Sequence, residues 1–227
     1  MLVNPINQKS FYVSSPDVNK LIAQINAALQ NGWGNTTNGL YSVISGGVNN
    51  ITSADYAFIG SATGAAATIT GQVVNSSYTE TPFISQASKF TLTRVFAGPN
   101  KDILTVNHGE FPIMTLQPGV STKVWNAFIQ IVAVCKIPGV SGAIINDVYS
   151  ANFAATIKNN GSHVLMVGSQ EQIGGGQSDA SMADCDITIS EDDTNLALEI
   201  EFTPPSVADA GTVINVMASV TLAEIGW

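Results

Sequence analysis

A chain of 227 residues is long enough to bury a substantial core, yet only 11% of it is charged while 45% is hydrophobic, and its mean hydropathy is +0.22. Eight Lys plus Arg against 17 Asp plus Glu give a net charge of -9 with no basic run, which excludes nucleic acid as a partner because phosphate neutralisation needs clustered cations. The longest apolar segment, Ala127 to Cys135, is interrupted by Gln130 and ended by Lys136, too short for the ~20 residues of a membrane-spanning helix; the sparse charge then points to a surface covered by further copies of the chain.

The N-terminal segment, residues 1–34, predicts one amphipathic helix. Ser15-Pro16-Asp17 supplies an N-cap, a proline at the first helical position and an early acid, and Gly32 follows the last turn. Between them Val18, Leu21, Ile22, Ile25 and Ala28-Leu29 fall on one stripe. Two heptads are too few for an independent coiled coil, so the helix is expected to seal one end of the structure that follows. Met1 to Ser14 is the expected point of attachment to another structural protein. It carries no continuous apolar stretch or cleavage signature of a secretory leader, which points to synthesis in the cytoplasm.

Residues 35–79 hold the internal repeat. Laying Tyr41 on Tyr56, 15 residues later, places Asn35 on Asn50, Thr37 on Thr52 and Val43-Ile44 on Phe58-Ile59. A third copy, Ala65 to Thr70, lacks the tyrosine. A unit this short buries an apolar face only against its neighbours, so each is expected to be one coil of a parallel β-solenoid. Gly46-Gly47 and Gly60, with Asn49-Asn50, are the expected turn residues.

From residue 80 to 227 the periodicity is that of strands. Runs at Phe90 to Phe96 and Ile103 to Val106 are followed by Val124 to Cys135, Val148 to Lys158, His163 to Gly168, Asp184 to Ser190, Leu196 to Phe202 and Thr212 to Ile225. Pro138-Gly139, Asn159-Asn160-Gly161, Asp192 to Asn195 and Pro204-Pro205 separate the later ones. This spacing predicts an antiparallel β-sandwich of jelly-roll type. Leu196, Leu198, Ile200 and Phe202 are expected inward, and Asn195, Ala197, Glu199 and Glu201 outward.

The motif YSVISGG-NN-TS-DYAFIG resembles the head repeats of trimeric autotransporter adhesins and related repeats of bacteriophage and large-virus fibre proteins. That resemblance implies a β-roll whose coils assemble as a trimer. TLQPGVSTKVWNAFIQIVAV with the terminal INVMASVTLAEIGW resembles the C-terminal β-domains of phage tail fibres, which implies a trimeric tip that meets a host surface.

Few residues suggest chemistry. His108 and His163 sit in turns without H-x-x-H or C-x-x-C spacing to a cysteine. Cys135 and Cys185 read as buried apolar residues, or alternatively as a disulfide. Asp184 and Asp186, expected on one face of a strand, lie with Glu191 to Asp193 in an acidic cluster open to three readings: a solvated edge, a cation site, or a carboxylate pair for glycoside hydrolysis. Gly174 to Gly176 lacks the Lys-Ser/Thr of a phosphate loop. Ser169 to Ala183 reads as the longest strand-free stretch of the C-terminal domain, and its Gln170, Glu171, Gln172, Gln177, Ser178 and Asp179 are the candidate receptor contacts, suited to a polar ligand such as a glycan. The expectation is a non-enzymatic homotrimeric virion fibre, with no metal or cofactor, that attaches to a host-surface glycan or protein. The competing readings are a fibre-borne glycan hydrolase and a fragment of a bacterial trimeric adhesin.

Overall fold

The computed structural model describes residues 32–80, 83–105, 122–194 and 196–226. The helix expected before Gly32, the attachment segment Met1 to Ser14 and the His108 turn lie outside the described residues.

The repeat folds as coils. Its strands are β1 (Gly32–Trp33), β2 (Thr36–Thr37), β3 (Val43–Val48), β4 (Ile51–Thr52), β5 (Phe58–Thr63), β6 (Ala66–Ala67) and β7 (Val73–Glu80). β1, β3, β5 and β7 pair in parallel, and so do β2, β4 and β6 on the other wall. The register steps by 15 residues throughout: Val43 faces Phe58 and then Val73, and Thr37 faces Thr52 and then Ala67. Ile44, Ile59 and Val74 stack inward with Ala57, Ala62, Ala65 and Ala67, small residues that let two walls meet across a narrow coil.

Left-handed backbone recurs with the same period, at Gly34, Asn49 and Gly64 and again at Tyr41, Tyr56 and Gly71. The third copy therefore lost its tyrosine without losing its turn, because Gly71 at φ 72° adopts the conformation of Tyr41 at 57° and Tyr56 at 55°. The two tyrosine rings stack 5.3 Å apart. Gly46 and Gly60, expected in turns, lie inside β3 and β5 instead. Gly47 at the end of β3 has φ 97°, and a Cβ there would meet the Ala62 carbonyl oxygen at 1.7 Å, so close stacking of coils fixes this residue as glycine.

Asn50 holds successive coils together from inside. It is fully buried; its Oδ1 accepts from the Ala65 amide at 2.9 Å, and its Nδ2 donates to Asn35 Oδ1 at 3.1 Å and to the Gly46 and Ala62 carbonyls at 3.1 and 2.9 Å. Asn35 Oδ1 in turn accepts from the Asn50 amide at 3.0 Å. The pair is an asparagine ladder that satisfies corner amides no strand partner reaches.

The remaining strands are β8 (Phe83–Ala97), β9 (Asp102–Ile103), β10 (Lys123–Pro138), β11 (Val148–Asn159), β12 (Val164–Met166), β13 (Glu171–Gln172), β14 (Gln177–Ser178), β15 (Asp186–Asp192), β16 (Ala197–Thr203) and β17 (Thr212–Gly226). β8 folds back antiparallel on β7, so the solenoid wall continues without a break across position 79 into one sheet of order β1-β3-β5-β7-β8-β17-β10-β11-β12. One row of buried residues crosses it from coil to sandwich: Ile59, Val74, Ser88, Leu222, Ala127 and Ala155 are successive register partners. A smaller sheet, β15-β16-β9, covers the inner face of the antiparallel part. Ile187, Ile189, Leu198, Ile200 and Phe202 pack there against Leu92, Phe96, Ile129, Ile131 and Val216, and Phe202 lies 4.9 Å from the Phe96 ring. The two layers are thus unequal, where the strand spacing suggested a jelly roll. Ala197 is buried beside Leu198 rather than outward, because Leu196 enters the strand with φ 53° and the alternation begins one residue later.

At the junction of coil and sandwich the inner face carries a buried ion pair. Lys123 and Glu224 meet with side chains 3% and 4% exposed. Glu224 also accepts from Ser88 Oγ at 2.8 Å, Gln86 Nε2 at 3.2 Å and Trp125 Nε1 at 3.2 Å, while Gln86 reaches the backbone of Ala66 in the last coil. Buried charges survive only when their oxygens are satisfied, and here four side chains do so, one of which, Gln86, also holds the last coil against the sandwich.

Candidate functional site

β1 stands at one end of the sheet order and β11 is the last long strand at the other, so its free edge is the part of the sheet farthest from the coils. That edge is filled piecewise. Val164 to Met166 pairs with Ile157 to Asn159, Glu171–Gln172 with Phe153 and Ala154, and Gln177–Ser178 with Tyr149 and Ser150. Ser169 to Ala183, expected to be strand-free, therefore contains two short ladders and a 3-10 turn at Ala180–Met182.

The candidate contacts divide into two groups. Gln170 and Asp179 are tethers: Gln170 Nε2 donates to the Ile187 carbonyl at 3.0 Å and its Oε1 accepts from the Ile189 amide at 2.6 Å, taking the place of a strand partner for β15. Asp179 Oδ2 accepts from the Val148 amide at 2.9 Å, and its own amide donates to the Val148 carbonyl at 3.0 Å. Glu171, Gln172, Gln177 and Ser178 remain exposed on a backbone held at both ends.

Beneath them lies a groove of about 410 Å³ lined by Tyr149, Phe153, Gln170, Gln172, Gly176, Ser178, Ala183, Cys185 and Asp186. Its lining is mostly amide, hydroxyl and carboxylate, backed by the nearly buried rings of Tyr149 and Phe153, a combination that receives a hydroxylated ligand chiefly by hydrogen bonds. Burial, with the neighbouring Cys185 and Asp186, raises the Tyr149 phenol above its ordinary value. Burial and the charge of Asp184 push the Cys185 thiol up to about 12, which favours the thiol over the thiolate. Cys135 and Cys185 are both free and buried.

Asp184 and Asp186 do not share a strand face. Asp184 precedes β15 and accepts from the Ser206 amide at 3.0 Å; hydrogen bonding by the Ser206 hydroxyl, then by its amide, lowers its pKa. Asp186 alone borders the groove. His163 is exposed, with Nδ1 3.1 Å from Asp193, whose carboxylate is held below its ordinary value by the Val164 amide and by His163. Among the described residues no three His, Cys, Asp or Glu side chains gather into a metal-binding cluster. Residues 139–194 contain eight acids and one lysine, Lys158, so most of the net charge gathers in the segment that builds this edge. The sequence did not single out Tyr149 and Phe153. Their signal is the alternation of β11, where Tyr149, Ala151, Phe153, Ala155 and Ile157 point inward.

No family model matches the chain, and no curated protein matches its sequence. Among solved structures it is similar to the tailspike protein of Acinetobacter baumannii phage AM24, at 12% identity and a TM-score of 0.28, over 81% of this chain and 39% of the tailspike. The chain thus spans well under half the length of that protein.

Proposed function

We propose that the chain is a structural subunit of a virion appendage, a homotrimeric fibre assembled in the host cytoplasm, that attaches to a host-surface saccharide through the β11 edge. The observation that carries this reading is polarity. The described chain enters at β1, at one end of the sheet, and the groove with its exposed amides and hydroxyls lies at the other end. In this reading the coil end of the sheet is turned toward the particle, the N-terminal segment attaches to another virion protein, and the groove faces outward. Binding without hydrolysis is the reading favoured here because Asp184, expected to share a strand face with Asp186, lies before β15 and accepts from the Ser206 amide instead.

Adsorption of the fluorescently labelled full chain to a panel of bacterial strains tests the proposal. The wild type binds a subset of strains, and Ser178→Trp, which fills the groove from an exposed position, loses at least ten-fold of that binding at unchanged far-UV circular dichroism. Undiminished adsorption by Ser178→Trp overturns it.

A further inference from the structure

The outer face of the large sheet is unlike a solvent face. Strands β8, β17, β10 and β11 alternate inward and outward along their length. Their outward positions hold no Asp or Glu at all, in a chain with 17 such residues, and three lysines: Lys136 and Lys158 near strand ends, and Lys89 in mid-strand between Val73 and Thr221. An antiparallel sheet that meets water on one side ordinarily carries charge there. Here Val95, Val132 and Met217 stand 54%, 42% and 45% exposed around a shallow recess of about 340 Å³, and the same face runs on to Val43 and Phe58 of the coils. The smaller sheet, by contrast, turns Glu199 and Glu201 outward.

We infer that this outer face is a self-association surface, covered by a second copy of the chain. Its extent is sufficient. Four strands about 4.8 Å apart and about twelve residues long, at ~3.3 Å per residue, span roughly 800 Å², and a stable interface takes about 800 Å² from each partner. Its charge fits a second copy as well: a chain of net charge -9 repels itself wherever acids face acids, and this face carries none of them. The inference rests on the homo-oligomeric reading above and assigns it a surface.

Light scattering on the full chain at tens of micromolar tests it. The wild type has the mass of three 23.7 kDa chains. Val132→Glu with Met217→Glu falls to a single chain, whereas Val140→Glu with Thr188→Glu, the same added charge at exposed positions off this face, leaves the mass unchanged. A double variant as large as the wild type overturns the surface and leaves oligomerisation standing. A monomeric wild type overturns both. A second measurement needs no variant: in the native wild type Met217 oxidises with peroxide at least ten-fold more slowly than in the guanidinium-unfolded chain, as the fully buried Met182 does. Oxidation of Met217 at the unfolded rate while Met182 is protected overturns the inference by itself.

Discussion

Replacing Asn50 by alanine isolates the contribution of the asparagine ladder. The next coil already carries alanine at the equivalent position, Ala65, so the change introduces no steric conflict and little packing loss. What it removes is polar. The Ala65 amide, 1% exposed, loses its acceptor at 2.9 Å, and a buried unpaired N–H costs about 1 to 3 kcal/mol. The three Nδ2 bonds end on oxygens with a second lone pair, one of them the Asn35 side chain, and together add about 1 kcal/mol. The expected loss is about 3 kcal/mol. Asn35→Ala takes an acceptor from the buried Asn50 amide but leaves the Ala65 amide and the bonds to Gly46 and Ala62 in place, so it is expected to cost less, about 1 to 2 kcal/mol. Urea denaturation at one fixed protein concentration measures both, since oligomerisation makes stability concentration-dependent. Amide exchange at Ala65 reports the coil directly. A loss at Asn50→Ala equal to that at Asn35→Ala, or within about 0.5 kcal/mol of zero, would falsify the ladder as a stabilising element.

Other sites give sharper contrasts. Gly47→Ala is expected to abolish soluble folded protein because its Cβ collides with the Ala62 carbonyl, whereas Gly71→Ala, with nothing within 4 Å, costs only the ~1 kcal/mol of a left-handed alanine; thermal melts of the two variants compare them. Asp209 accepts from the Val140 and Gly211 amides and is held at about 2, below its ordinary 3.8, by the Val140 amide first and then by Ser141. Folding therefore favours its charged form, so its contribution is complete above about pH 4 and fades as pH falls through 2. The melting-temperature gap between wild type and Asp209→Asn should close between pH 6 and pH 2, and a gap constant over that range contradicts the assignment. With eight acids and one lysine in residues 139–194, the edge should bind neutral or amine-bearing saccharides in preference to polyanionic ones, read by calorimetry with matched polymers. Tighter binding of the polyanion would count against the groove.

The coils were legible because each repeats the same side-chain demands at the same spacing, and Asn35 over Asn50 or Ile44 over Ile59 can be read without a structure. The long strands were legible for the same reason, down to one or two residues at most ends. Three features were not. The tyrosine-to-glycine exchange at position 71 preserves a backbone angle, which leaves no trace in side-chain chemistry. The ladders at Glu171–Gln172 and Gln177–Ser178 pair through backbone alone over two residues each, too short for an alternation to show, so the stretch reads as a loop. The Lys123–Glu224 pair joins two strands at opposite ends of the C-terminal region, and only the register of β10 on β17 brings them together. The groove was half legible. Its polar lining drew notice through composition, while the aromatic rings behind it belong to β11 and read as core.

An exchange footprint measures the contact surface itself: deuterium uptake by the full chain, with and without purified surface polysaccharide from a strain to which it adsorbs. The account predicts protection at residues 149–153, 170–178 and 185–186, around the groove at the far edge of the sheet. Protection confined to the coils, or to the 139–147 loop at the ends of the strands, with none around the groove, would contradict it.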